Sequence, residues 1–238
     1  MSSQSTRRPG QIRILIILAI AAGALLIGLI GMATREPGNQ YEDVVGIGDM
    51  RQIFGGERQL DDRLGQDDAP TQMQLFLDAQ SETYREQFLD TVPALVNGPV
   101  RDGSLKLLYR NRSLTRNATQ LSFYGIEAAM NQNYGWQYAY LMFRNQELAK
   151  DVGLDEDFLT RLAESIENMD IFQWQEDFEA GLEEGSQMNA ELQAQDEIAI
   201  NLEIRDQPAA VVNGPGGTEV VQDAPDLAEL QAAIGEVQ

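Results

Sequence analysis

Residues 71–95 read TQMQLFLDAQSETYREQFLDTVPAL, a strand pattern that passes directly into a helix pattern. Within Thr71–Leu77, every second residue on one side is apolar, namely Met73, Leu75 and Leu77. Phe76 lies on the opposite side, so each side of this segment carries apolar surface. The pattern predicts a central strand that is buried on both faces.

A helix is predicted to begin after Ser81. Serine is a favoured N-cap residue, and the neighbouring Glu82 suits the positive end of a helix. Apolar residues then recur every three or four positions on one inward face, at Tyr84, Phe88, Val92 and Leu95. Pro93 has no backbone N–H, so we expect the helix to bend or to end early there.

The remaining chain shows two further strand regions around a helical block. Ser104–Tyr109 has strand character, and the pattern is helical between about Thr115 and Asn201. Ala209–Val212 and Thr218–Val221 flank a turn rich in Gly and Pro, which predicts a hairpin. A last helix is predicted over Asp226–Ile234. This order of elements predicts an α/β sandwich with a helical insertion.

The helical block is predicted to end in one long, very acidic helix that carries Phe178, Leu182 and Leu192. The chain as a whole has a formal net charge of −21. An acidic surface repels phosphates, so nucleic acid is not an expected partner. Such a charge indicates a solvated, soluble surface, and a docking face for a basic partner is the alternative.

The chain contains no cysteine and no histidine. Zinc fingers, catalytic zinc bound by imidazole, Ser-His-Asp triads and Cys-His pairs are therefore excluded. A cation site made only of carboxylates is the alternative left by this composition, but the acidic residues do not show the spacing of a calcium-binding loop, so no metal site is predicted. No disulfide can form, and chemistry that requires a pair of thiols is impossible.

The N-terminal region predicts a membrane anchor. Residues 14–34 carry no charged side chain and are long enough to cross a bilayer core about 30 Å thick as one helix. Arg7, Arg8 and Arg13 precede this run, so the positive-inside rule places residues 1–13 in the cytoplasm and the chain after the span outside it. We expect a single-pass protein of the cell membrane with a periplasmic or extracellular domain. A cleaved signal peptide is the alternative.

Between the anchor and the first strong strand, residues 35–63 are rich in Gly, Asp, Gln and Arg. They are predicted to form a linker with room for one edge strand or turn. Residues 64–238 are predicted to form the folded domain.

Five short segments in this domain carry a resemblance to a known family. They are Leu64–Pro70, Phe76–Gln80, Val92–Leu95, Gly135–Tyr138 and Gln207–Gly214. Together they make the chain from about Leu64 to Ala233 resemble the DsbA-like branch of the thioredoxin superfamily, which consists of secreted or membrane-anchored thiol-disulfide oxidoreductases. The resemblance implies an α/β thioredoxin-like fold with a helical insertion, preceded here by one transmembrane helix.

The chain departs from that family at the two cysteine positions, which here are Ser81 and Tyr84. A serine hydroxyl ionises far less readily than a thiol and cannot form a disulfide, so dithiol redox catalysis is excluded. Ser81 is predicted to cap the helix. Activation of a cofactor thiol is the alternative, because kappa-class glutathione transferases, which share the fold, use a serine at this place. Tyr84 lies in line with Phe88 and is predicted to pack in the core.

The family's cis-proline resembles Pro208. If Pro208 is cis, the resemblance implies that Gln207 and Pro208 form a groove with Ser81, Glu82 and Thr83, where an extended peptide can pair in a strand-like manner. Retention of Pro208 only to fix the turn is the alternative. We therefore expect a non-catalytic module that binds a peptide or protein partner or serves as a scaffold of the cell envelope, without cofactor or metal. A glutathione-transferase-like enzyme using Ser81 and a purely structural envelope protein are the other possibilities.

Overall fold

The computed structural model describes residues 44–112, 119–152, 154–205 and 208–238. The predicted cytoplasmic segment 1–13 and the predicted anchor 14–34 lie outside the described residues. Among the residues that are described, no helix is both long enough and apolar enough to cross a membrane.

The central strands, the helical block, the hairpin and the last helix follow one another in the order that the sequence predicts, and further elements precede them at the N-terminal side. The elements are α1 (Ile47–Phe54), β1 (Gln59–Leu60), β2 (Arg63–Leu64), β3 (Thr71–Leu77), α2 (Glu82–Leu95), β4 (Leu105–Asn111), α3 (Thr119–Met130), α4 (Gly135–Arg144), α5 (Gln146–Val152), α6 (Glu156–Glu164), α7 (Ile171–Leu182), α8 (Gln187–Asn201), β5 (Ala209–Gly214), β6 (Gly217–Val221) and α9 (Leu227–Val237).

Within the described residues, six strands form one mixed sheet in the order β1-β2-β4-β3-β5-β6. β3 pairs in parallel with β4 and antiparallel with β5, so it lies at the centre of the sheet. Leu75 and Phe76 point to opposite faces, and both are fully buried. The predicted central strand Thr71–Leu77 is therefore confirmed with the same bounds.

The helix that follows β3 packs through the predicted stripe. All four predicted inward residues of α2 are buried: Tyr84, Phe88, Val92 and Leu95. Pro93 lies within the last turn, and α2 ends at Leu95 before a distorted turn over Val96–Val100. The helix therefore continues past Pro93 through the whole predicted stripe, and the non-helical backbone lies further on, at Gly98.

The helical insertion lies between β4 and β5 and has an aromatic centre. Trp174 stacks on Phe178 and on Tyr138, with ring centroids 5.2 and 5.7 Å apart. The Trp174 indole N–H donates to the carbonyl oxygen of Gly125 at 3.0 Å. The Tyr138 hydroxyl donates to the carbonyl oxygen of Leu159. These contacts join α3, α4, α6 and α7 into one core.

The prediction of one long acidic helix at the end of the insertion is wrong. Phe178 and Leu182 belong to α7, whereas Leu192 belongs to α8. The two helices are separated at Gly185, whose φ of 79° is a left-handed conformation that ends a helix. Ser186 then starts α8, because its hydroxyl accepts a hydrogen bond from the backbone N–H of Asn189.

Part of the segment predicted as a linker is packed in the domain. α1 buries Met50, Ile53 and Phe54, and the Phe54 ring meets Tyr140 edge-on at 5.8 Å. The Asn145 side chain accepts a hydrogen bond from the backbone N–H of Val45, two residues before this helix, and donates one to the Val45 carbonyl oxygen. The folded domain therefore begins by Val44, earlier than the predicted boundary at residue 64.

Candidate functional site

The predicted site lies between the C-terminal end of β3 and the first turn of α2. We call residues Asp78–Ser81 the site loop. Ser81 occupies the N-cap position with extended φ and ψ, but its side chain makes no capping hydrogen bond. The prediction of a serine side-chain cap is therefore wrong, although the helix starts where it was predicted. In any α-helix the first backbone N–H groups cannot be bonded by carbonyl oxygens of the same helix.

Asp78 fixes the start of the site loop. Its carboxylate accepts a hydrogen bond from the backbone N–H of Gln80 at 3.0 Å, and its carbonyl oxygen accepts one from the backbone N–H of Ser81 at 3.1 Å. The side chain is buried, and burial raises the pKa of Asp78, while the hydrogen bond from Gln80 opposes this effect. The loop conformation thus depends on a buried acidic side chain.

Gln146 holds the other side of the site loop. Its side-chain amide nitrogen donates to the carbonyl oxygen of Ala79 at 2.7 Å and to that of Ser81 at 3.3 Å. Gln146 is buried at the start of α5, so this amide belongs to the helical insertion. The insertion therefore clamps the site loop through a buried hydrogen-bonding side chain.

The predicted site residues differ in their accessibility. Glu82 and Thr83 are exposed in the first turn of α2, and Ser81 is half-buried. Tyr84 is only 1% exposed, so the prediction that it packs in the core is confirmed. The surface available to a ligand therefore consists of the edge of Ser81 and the exposed turn that follows it.

Pro208 lies at the same edge of the sheet. The register Phe76↔Ala209 places it beside the C-terminal end of β3, from which the site loop departs. Pro208 is buried, and its carbonyl oxygen accepts the backbone N–H of Ala224 at 2.9 Å. That carbonyl is thus engaged within the chain. Gln207 lies outside the described residues, and the bond between Gln207 and Pro208, whose cis form the resemblance would imply, stays untested.

A small cavity of about 120 Å³ adjoins the site loop. It is lined by Gln80, Met142, Gln146, Ala149, Lys150 and Leu154. Small-molecule sites typically have volumes of roughly 300–1,000 Å³. The cavity therefore suits one side chain of a bound partner better than a complete cofactor.

A buried acid on α3 is a feature that the sequence patterns did not single out. Glu127 is 8% exposed and accepts a hydrogen bond from the amide of Gln195 at 3.3 Å. Burial raises its pKa to about 8; the Gln195 hydrogen bond lowers it, Glu191 and Asp62 raise it further, and Arg110 opposes them. Glu127 is therefore protonated at neutral pH.

Both Glu127 and Gln146 have a weak signal in the sequence. Each is a polar residue beside an apolar helical run, within Tyr124–Met130 and after Trp136–Phe143 respectively. A polar residue in such a place faces either solvent or a buried partner, and the helical period alone does not distinguish the two. Only the contacts with Gln195 and with the site loop identify them.

Comparison with protein-family models and with curated proteins finds no match. Solved structures do match. Oxidised BdbD from Bacillus subtilis is 17% identical with a TM-score of 0.63, covering 76% of this chain and 96% of that one. DsbA from Chlamydia trachomatis is 13% identical with a TM-score of 0.62, covering 74% and 90%. A thioredoxin-like oxidoreductase from Silicibacter pomeroyi is 20% identical with a TM-score of 0.56, covering 78% and 95%.

These similarities agree with the observed sheet, with the helix after its central strand and with the insertion between β4 and β5. At the start of that helix stand Ser81 and Tyr84, and the whole chain lacks cysteine, so thiol-disulfide chemistry is impossible. The chain therefore has the α/β thioredoxin-like fold, with helical insertion, of the DsbA-like proteins, without the thiols that such chemistry requires.

Proposed function

We propose that this domain is a non-redox binding module that is tethered to the membrane by residues 14–34 and faces away from the cytoplasm. Its site loop and the first turn of α2 bind an extended peptide or a segment of a partner protein. The observation that carries this proposal is the position of the site loop, which the buried Gln146 side chain fixes by a hydrogen bond. It lies beside the start of α2, where the Ser81 side chain makes no capping hydrogen bond.

The first turn of α2 offers what such a partner requires. Its backbone N–H groups lack partners within the helix and carry partial positive charge, so they favour carbonyl or carboxylate oxygens. Glu82 and Thr83 leave this turn accessible. Asp78 and Gln146 hold the loop before binding, which lowers the entropy lost when a partner docks.

The tether and its orientation rest on the N-terminal sequence. Residues 14–34 are uncharged, and Arg7, Arg8 and Arg13 stand on the side that the positive-inside rule assigns to the cytoplasm. A partner would then be another envelope protein or a peptide that reaches the same compartment.

A photoreactive residue at Thr83 is expected to cross-link the partner in living cells. Asp90 is the matched control position, because it is exposed on the same helix but remote from the site loop. We expect one discrete adduct from Thr83, none from Asp90, and a lower yield when Gln146→Ala releases the loop. Equal adduct patterns from Thr83 and Asp90 would contradict the proposal.

An enzyme that activates a cofactor thiol is the second candidate. The observation that favours it is that the Ser81 hydroxyl makes no capping hydrogen bond to α2. The small cavity beside the loop argues against a cofactor of the size of glutathione. We therefore expect titration calorimetry with glutathione to show no saturable heat. A saturable heat that Ser81→Ala abolishes and Thr83→Ala preserves would replace the binding module with this enzyme.

A further inference from the structure

The cavity beside the site loop has an apolar floor. Met142 is almost fully buried on α4, Ala149 is half-buried on α5, and the half-buried Leu154 follows α5. Polar groups form other walls, where Gln80 belongs to the site loop and Gln146 begins α5. Among the described residues, no wall comes from the start of β5. The cavity therefore belongs to the site loop and the helical insertion.

The volume of the cavity limits the side chain that it can hold. An apolar cavity of about 150 Å³ accommodates a benzene molecule. The present cavity of about 120 Å³ therefore has room for a four-carbon aliphatic side chain such as that of leucine, whereas an indole is too large. A polar side chain would lose its hydration against Met142, Ala149 and Leu154. Size and polarity together favour a medium-sized aliphatic side chain.

The Gln146 side chain offers a hydrogen-bond acceptor to the backbone of such a partner. Its amide nitrogen donates to the carbonyl oxygens of Ala79 and Ser81, which fixes the amide group in place. Its Oε1 atom accepts no hydrogen bond from any residue that the structure describes, although Gln146 is only 5% exposed. This oxygen is not sealed from solvent, so a peptide N–H group can reach it.

A hydrogen-bond donor without a partner lies near the same cavity. The backbone N–H of Arg85, on α2, donates to the carbonyl oxygen of Ser81, which also accepts from Gln146. The charge of Arg85 acts on Lys150, a residue that lines the cavity. The Arg85 Nε atom is buried and has no hydrogen-bond partner in the described part of the chain. A carbonyl oxygen of a docked peptide would satisfy this donor.

We propose that the partner segment inserts a leucine-like aliphatic side chain into this cavity, while its backbone bonds Gln146 and Arg85. An extended peptide carries both an N–H donor and a carbonyl acceptor at each residue, and its side chain in a pocket provides specificity. This inference rests on the function proposed for the site loop, because it names the side chain by which the same partner is recognised.

The test follows the methyl signal of Met142 by NMR in the full-length protein, labelled at its methionine methyl groups. The probes are blocked tripeptides of the form acetyl-Gly-X-Gly-N-methylamide, in which X is leucine, asparagine or tryptophan. We expect the leucine probe to shift the Met142 signal saturably. The other two probes should bind at least about tenfold more weakly, because asparagine buries an amide and tryptophan exceeds the cavity. No saturation by the leucine probe, or equal affinities for all probes, would overturn the proposal.

Two matched variants show whether the preference arises in the cavity. Ala149→Leu fills the cavity from its own wall and should weaken binding of the leucine probe at least about tenfold. Ala194→Leu makes the same change at an exposed position of α8 and should leave binding nearly unchanged. Equal effects of the two variants would contradict the assignment. The comparison of probes needs no variant, so the proposal stays testable if Ala149→Leu does not fold.

Further outcomes separate this inference from the function on which it rests. A shift of the Met142 signal on dilution, without any probe, would assign the cavity to a second copy of the chain and overturn the inference. If Ala149→Leu abolishes binding of the leucine probe but leaves the Thr83 adduct at its parental yield, the partner docks without the cavity and only this inference fails. If the leucine probe binds but Thr83 and Asp90 give equal adducts, the preference of the cavity is supported and the proposed function fails.

Discussion

Replacing Glu127 with glutamine is expected to raise the free energy of unfolding by about 4 kcal/mol at pH 8.5 and to leave it nearly unchanged at pH 4. The reason is the buried carboxyl group of Glu127, whose pKa in the folded protein is about 8 against a usual value of 4.5. One pKa unit corresponds to about 1.4 kcal/mol, so ionisation of Glu127 costs far more free energy in the folded chain than in the unfolded chain.

The sign follows from which state loses its proton first. Below pH 4.5 the group is protonated in both the folded and the unfolded chain, so ionisation does not disfavour folding. Between pH 4.5 and 8 the unfolded chain ionises while the folded chain keeps its proton, and stability falls as pH rises. Above pH 8 the folded chain must hold a buried carboxylate near Glu191 and Asp62, with Arg110 as an opposing charge.

Glutamine imitates the protonated acid, because its carbonyl oxygen can still accept the hydrogen bond from the Gln195 amide. Urea unfolding of both proteins at pH 4, 6.5 and 8.5 gives the comparison. Glu184→Gln, at an exposed position, is the control and should show little dependence of its effect on pH. A stability difference between Glu127→Gln and the parent protein that stays constant across this range would disprove the assignment.

Local patterns predicted most of the central sheet and its first helix. The β3–α2 unit follows from alternation in Thr71–Leu77 and from one apolar stripe, both of which act over a few residues. The hairpin is equally local, because a turn rich in glycine and proline separates two short apolar runs. Such elements are predictable because the period at which apolar residues recur in the sequence directly gives the face that is buried.

Two features of the fold escaped prediction for identifiable reasons, namely helix α1 and the break between α7 and α8. α1 has eight residues between Gly46 and Gly55, too few to show a clear helical period against its polar surroundings. α7 and α8 appeared as one helix because Phe178, Leu182 and Leu192 would lie near one face of a single continuous helix. A single glycine is tolerated in many helices, so its left-handed conformation is visible only in the fold.

The position of the candidate site along the chain could be predicted, but the side chain that holds the site loop in place could not. Ser81, Glu82 and Thr83 lie at the predicted strand-to-helix junction. The amide that holds the loop comes from Gln146, more than sixty residues along the chain. Contacts over such separations depend on how the insertion packs, and one sequence carries no direct signal of that packing.

The conformation of the site loop is maintained by buried hydrogen bonds, although the chain has no cysteine at this place. The Gln146 side-chain amide donates hydrogen bonds to two carbonyl oxygens of the loop. The buried carboxylate of Asp78 accepts a hydrogen bond from the backbone N–H of Gln80. Leaving any of these buried groups without a partner would destabilise the fold by about 1–3 kcal/mol. The loop is therefore maintained by the same interactions that stabilise the domain, independently of any redox chemistry.

The second large effect is expected at the centre of the insertion. Trp174→Ala should lower the free energy of unfolding by about 3–5 kcal/mol, because it removes a fully buried indole and leaves a cavity. The stacking on Tyr138 and Phe178 would be lost, and the Gly125 carbonyl would lose the N–H that it now accepts. This is a large share of the roughly 5–15 kcal/mol that stabilises an ordinary domain.

Two further variants distinguish the sources of this effect. Trp174→Phe keeps an aromatic ring but not the N–H donor, so it should show a smaller loss than alanine. Phe172 lies on the same helix and is 67% exposed. Phe172→Ala should therefore change the free energy of unfolding by no more than about 0.5 kcal/mol. Urea unfolding followed by near-ultraviolet circular dichroism measures all three. Similar losses for Trp174→Ala and Phe172→Ala would mean that the aromatic stack does not organise the insertion.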